Sequence, residues 1–207
     1  MFDKDTLEED LETLFFGMRD GTVEGDSAFA EGIADAVKAF GESGEVETTD
    51  SGTVSSGYFS GAGTGSLTLT SSLMSSPIIT ACGNMRIGEG SNNMLAEAIG
   101  EGILAMTSEA DIVSTDVEGT TTSQGSTVPP YSGTAKGTIT CDNTDLIQGL
   151  KDTFTAMGRR AHSQGFDGDE YFAKELADLV YDYFTAGTIE THGEGDLSGT
   201  TGTGSIS

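Results

Sequence analysis

Residues 29–37, Phe29-Ala30-Glu31-Gly32-Ile33-Ala34-Asp35-Ala36-Val37, and residues 172–180, Phe172-Ala173-Lys174-Glu175-Leu176-Ala177-Asp178-Leu179-Val180, align without a gap at a shift of 143 positions. Both place apolar residues on one face of a helix and acids on the other. The register continues past the helix, with Gly44 on Gly187, Val46 on Ile189, Glu47 on Glu190 and Thr48 on Thr191. At a shift of 66 the same template falls on Leu95-Ala96, Ile99, Ile103, Met106, Ile112 and Asp116, where glycine dilutes the helix. The chain reads as three copies of one unit.

Working outward, each of these helices is preceded by a second apolar stripe: Leu7, Leu11, Phe15, Met18; then Met74, Ile78, Cys82, Met85; then Leu146, Leu150, Phe154, Met157. The spacing i, i+4, i+8, i+11 keeps all four on one helix face. Asp26, Ser91 and Asp169 precede the second helices as expected N-caps. Each copy ends in a glycine-rich turn running into a short strand, at 61–67, 133–139 and 199–206. The unit is helix, helix, strand, Gly/Ser/Thr loop, strand. The expected class is α+β, three tandem repeats over 1–69, 70–141 and 142–207. Units of this size are near the lower limit for an independent core, so stacking is required. Both a linear row and a pseudo-threefold arrangement satisfy it. The loops differ most: copy two has Ser123 to Tyr131 with Pro129-Pro130, and copy three only about His192 to Leu197.

Thirty-four Asp and Glu against nine Lys and Arg give a formal charge of −25 in 207 residues. Such a chain is repelled by phosphate backbones, so no nucleic-acid partner is expected. Apolar stretches are broken well before the roughly 18 residues needed to cross a bilayer, so no membrane span is expected. Met1 to Asp10 has neither the basic nor the apolar region of a leader. Two cysteines are too few for a disulfide scaffold. The acids are spread beside the stripes, as at Glu8, Glu31, Asp35, Glu97, Glu101 and Asp182, and do not form one tail. Self-repulsion of this size is screened when the Debye length falls to about 3 Å at 1 M salt, so a high-salt setting is expected.

Chemistry is sparse. His162 and His192 do not recur between copies, and with Cys82 and Cys141 they show no metal-ligand spacing. Cys82 stands where Phe15 and Phe154 stand, and Cys141 where Leu69 stands, so both read as core. Gly61-Ala62-Gly63-Thr64-Gly65 precedes a strand and not a helix, unlike a phosphate loop. Asp167-Gly168-Asp169-Glu170 carries hard oxygen ligands suited to calcium, but it lacks EF-hand spacing and reads as a helix cap. Glu47/Asp50 and Glu190/Glu194 are the available carboxylate pairs, with no burial signal that would separate their proton affinities. No catalytic, cofactor-binding or metal residue is therefore assigned, no cofactor is expected, and the chain is not expected to be an enzyme.

The helix Phe29-Ala30-x-x-Ile33-Ala34-x-Ala36-Val37, the strand Val46-x-Thr48, the Gly/Ser/Thr loop and the closing Gly-Thr-Gly-Ser-Ile resemble small structural proteins of tailed viruses, bacteriophages or haloarchaeal viruses. The resemblance implies a virion component of tail, neck, baseplate or capsid, assembled in the host cytoplasm. Its partners would be other virion proteins and copies of itself, met through exposed strand edges and helix faces. The alternative is an acidic cell-surface or secreted repeat module that binds a ligand or calcium.

Overall fold

The computed structural model describes residues 2–54, 57–123, 126–161 and 163–207, with the side chains of 114–118 and 120–133 outside that description. Among the described residues the class is α+β, with six α-helices and six antiparallel strands. In chain order these are α1 (Lys4–Asp20), α2 (Asp26–Ser43), β1 (Val46–Val54), β2 (Gly57–Thr68), α3 (Ser72–Arg86), α4 (Asn92–Ser108), β3 (Asp111–Ser123), β4 (Ser126–Thr140), α5 (Thr144–Arg160), α6 (Gly168–Thr185), β5 (Thr188–Gly193) and β6 (Thr200–Ile206).

The helices form because their apolar stripes have somewhere to go. Leu7, Leu11 and Phe15 of α1, Met74 and Ile78 of α3, and Leu146 and Leu150 of α5 are all buried, as the i, i+4, i+8 spacing predicts. Each helix packs on the next in sequence, and α6 returns to α1. The strands close in the same way: each pairs with its neighbour in the chain, and β1 pairs with β6 from Val46↔Ile206 to Gly52↔Thr200. The elements thus run around a circle and not along a row. One hydrophobic core joins all six helices to the near end of the barrel, where Val46, Leu67, Ile112, Ile139, Ile189 and Ile206 point inward.

Closure corrects four sequence expectations. First, among the described residues the sheet lacks the fully free edge strands expected for neighbour contacts: each strand pairs on both sides, and the longest overhang is Ser126–Gly133 of β4, beyond its β5 register. Second, Pro129 and Pro130 lie in that overhang and not in a loop. Proline, having no N–H to give a ladder, suits an unpaired strand margin. Third, Gly61, Gly63 and Gly65 are inside β2 and not in a turn. A six-stranded barrel is narrow, and inward positions have little room for a Cβ. At Gly202 of β6 an added Cβ would come within 2.6 Å of the Asp50 carboxyl carbon. Fourth, the caps shift. Asp167, not Asp169, accepts from the backbone amides of Asp169 and Glu170, and Asp26 lies within the first turn of α2. Ser91 does cap α4, accepting from the Met94 amide.

The glycines that dilute α4 have a packing reason. An added Cβ at Gly102 would sit 2.9 Å from the Met74 backbone of α3, and one at Gly100 would collide with Ile147 of α5. The weak helical signal of α4 thus marks close approaches to α3 and α5.

Candidate functional site

Two places hold polar chemistry that the core does not require: the barrel lumen and the helix end remote from the barrel. The lumen is layered. Below its middle is the main core, and at its far end lies a small apolar plug of Val54, Phe59, Ala135 and Leu197. Between them are the buried side chains of Thr48, Asp50, Thr191 and Thr200. Asp50 is 0 % exposed. The Thr48 hydroxyl donates to Asp50 Oδ2 at 2.6 Å and the Thr191 hydroxyl to Oδ1 at 2.7 Å. A carboxylate withdrawn from water is costly unless hydrogen-bonded, and here two hydroxyls from different strands supply the bonds. The buried Thr200 hydroxyl has no hydrogen-bond partner among the described residues.

This placement dissolves one candidate pair. Glu47 is exposed on the outside of β1 while Asp50 faces the lumen, so the barrel wall separates them. Glu190 and Glu194 are both exposed. Cys82 is half-buried beside the core, as expected from the stripe. Burial pushes the Cys141 thiol up to about 11, in a setting that also holds Tyr183, whose hydroxyl lies 2.7 Å from that of Thr107. His192 is exposed on β5, and His162 lies outside the described residues. Among the described residues no group of three or more His, Cys, Asp or Glu side chains could hold a metal ion. None of their helices is long and apolar enough to cross a membrane.

At the remote end, the outgoing helices α1, α3 and α5 finish and the returning helices α2, α4 and α6 begin. All four arginines stand there: Arg19 ends α1, Arg86 ends α3, and Arg159 and Arg160 end α5. A cation at a helix C-terminus and an anion at a helix N-terminus both oppose the local dipole. The first two arginines join these ends across neighbouring helices. Arg86 Nη2 lies 3.2 Å from Asp26 Oδ2 at the start of α2. Arg19 Nη1 lies 3.0 Å from Asp167 Oδ2 and 2.9 Å from Asp169 Oδ2 at the start of α6. The second contact is electrostatic and not an aligned hydrogen bond. The Arg19 hydrogen bond holds the Asp167 carboxyl below the usual range, helped by the Asp169 amide.

The third clasp is incomplete. Position 92, which is 66 residues after Asp26 and begins α4, is asparagine. Of the nine lysines and arginines, seven hold a carboxylate among the described residues; the other two are Arg159 and Arg160. Arg160 lies over the Tyr171 ring at 5.1 Å. Beside this arginine pair is an open cleft of about 470 Å³, lined by Asn92, Phe154, Met157, Ala161, Phe166 and neighbouring glycines.

Sequence reasoning missed both features, although each left a signal. Asp50 shares strand parity with Val46 and Thr48, which puts it inside. The clasp shows in the repeat register as Asp26, Asn92, Asp169. Comparison with protein-family models, with curated proteins and with solved structures finds no match in any of the three.

Proposed function

We propose that the chain is a non-enzymatic structural component of a tailed-virus particle, in its tail, neck, baseplate or capsid. In this reading residues 1–69, 70–141 and 142–207 are three helix-helix-strand-strand units about a pseudo-threefold axis, and they meet neighbouring virion subunits or further copies through helix faces. The observation that carries the reading is double closure, of β6 on β1 and of α6 on α1. It makes one chain the geometric counterpart of a trimeric ring, with two different ends to present along an axis. The charge of −25, spread over the outer faces, supports a high-salt environment for the particle. Immunogold electron microscopy of particles from the source culture, with antibody raised against this chain, tests the proposal. Label confined to one ring or end of the particle is expected. Particles without label, together with a 21.3 kDa monomer at every concentration in size-exclusion light scattering, would overturn it.

A further inference from the structure

From the incomplete clasp we infer that the cleft at the α5 end binds an acidic peptide segment of another protein, one that brings a carboxylate and a bulky apolar side chain. The inference does not depend on the viral reading. In a chain with nearly four acids for every base, two adjacent arginines that hold no carboxylate among the described residues are conspicuous. Their counterparts Arg19 and Arg86 hold Asp167, Asp169 and Asp26 in the same helix-end to helix-start geometry. Asn92 stands at the matching position with the shape of aspartate but no charge. The α4 N-terminus adds the positive end of a 17-residue helix dipole. Carboxylate is therefore the group that completes this corner, and among the described residues none of the chain's own carboxylates supplies it.

The apolar half of the occupant follows from the lining of the cleft. At the other two corners Asp26 is followed by Phe29 and Asp169 by Phe172, both rings packing against Phe15 with centroids 6.0 and 5.0 Å away, and after Asn92 the chain's own buried Leu95 takes that position. At the open corner Phe154, Met157 and Phe166 line the cleft, while Arg159 and Arg160 lie in sequence between its lining residues Gly158 and Ala161. A volume of about 470 Å³ accommodates one or two large side chains. Apolar lining with cationic residues alongside matches an acidic, aromatic-bearing segment in both charge and hydrophobicity.

The probe is a fluorescein-labelled synthetic peptide of residues 24–37, which carries Asp26 and Phe29, titrated with the full chain in 0.15 M KCl and read by anisotropy. At that ionic strength the Debye length is about 8 Å, so the overall negative charge does not mask a local contact. Saturable binding is expected, at least tenfold weaker with the peptide bearing Asp26→Asn. Two protein variants should each weaken it at least tenfold: Arg159→Ala/Arg160→Ala, which removes the cations, and Asn92→Asp, which supplies the carboxylate from within. Both alter exposed positions, and an unchanged far-UV circular dichroism spectrum verifies their fold. Binding that neither variant changes would overturn the inference. So would displacement of the peptide by millimolar inorganic phosphate, which marks a general anion site, or by phosphatidylglycerol vesicles, which marks a membrane contact.

Discussion

Replacing Gly202 by alanine tests whether the lumen is as tight as its polar layer requires. The added methyl would come within 2.6 Å of the Asp50 carboxyl carbon, and closer still to Asp50 Oδ1 and the Thr191 hydroxyl. These atoms are not flexible side-chain ends. They belong to the hydrogen bond that joins β5 to β1 across the lumen, so the methyl must break that bond or push the strands apart. Overpacking of a core costs about 1–3 kcal/mol. Loss of a hydrogen bond to a charged group adds about 1.5–3 kcal/mol. The sum, roughly 2.5–6 kcal/mol, is a large part of the 5–15 kcal/mol that holds a typical domain together. Urea unfolding followed by circular dichroism reads it directly: with a slope of about 2–3 kcal/mol per molar, the midpoint should fall by roughly 1–3 M. Asp50→Ala in the same background frees the space, so the double variant should lose less than the sum of the single losses. A Gly202→Ala midpoint within about 0.3 M of the parent would refute the account of the lumen.

The same substitution should have the opposite sign at Gly83 of α3, where an added Cβ meets nothing within 4 Å: Gly83→Ala should gain about 0.5–1 kcal/mol in the same assay. Asn92→Asp should stabilise the chain by about 0.5–1.5 kcal/mol through an exposed ion pair and the α4 dipole, raising the melting temperature by roughly 1–4 °C, and 1 M salt should remove most of the gain. For Asp178, burial pushes the carboxyl up, but hydrogen bonds from Lys174 and Lys4 outweigh it and leave the carboxyl below its ordinary value. A lowered value means stabilisation that is full above about pH 4 and is lost as pH falls through the folded-state value, so Asp178→Asn should show a shallower loss of stability between pH 5 and 2. With its thiol pushed up to about 11, Cys141 in a Cys82→Ala background should react with a thiol reagent at pH 8 roughly a hundredfold slower when folded than in urea. Raising KCl from about 0.05 to 2 M should raise the melting temperature, and equal melting at both would remove the high-salt reading.

Much of the fold was legible because burial repeats with a period. The stripes of α1, α3 and α5 named buried residues such as Leu7, Leu11, Met74, Ile78, Leu146 and Leu150. The order helix, helix, strand, strand was read from the sequence without any knowledge of how the elements meet. Closure was not legible, since nothing local in β1 or β6 states that residues 46 and 206 pair. Errors followed from that one omission. Glycines that look like turns on an open sheet are inward positions on a narrow barrel, and prolines that look like a loop sit on a strand overhang. The caps were misplaced because an acid in the first turn of a helix has two uses, and only the arriving Arg19 and Arg86 show which was taken. The clasp itself was readable as a register of Asp, Asn, Asp, but its meaning needed the arginines of neighbouring helices, which sequence distance hides.

The pairing of β6 with β1 also sets an order of events in time. The Glu45 and Ser207 backbones exchange hydrogen bonds, and the Phe2 ring lies against the same corner, where it stacks on Phe40. During synthesis β1 is complete long before residues 200–206 leave the ribosome, and through that interval its outer edge is an unpaired template. A second nascent chain can offer its own strand to that edge, so adjacent ribosomes on one message present the conditions for exchange of β6 between chains. Pairing of the seven-residue β6 is thus the step that closes the ring within one chain.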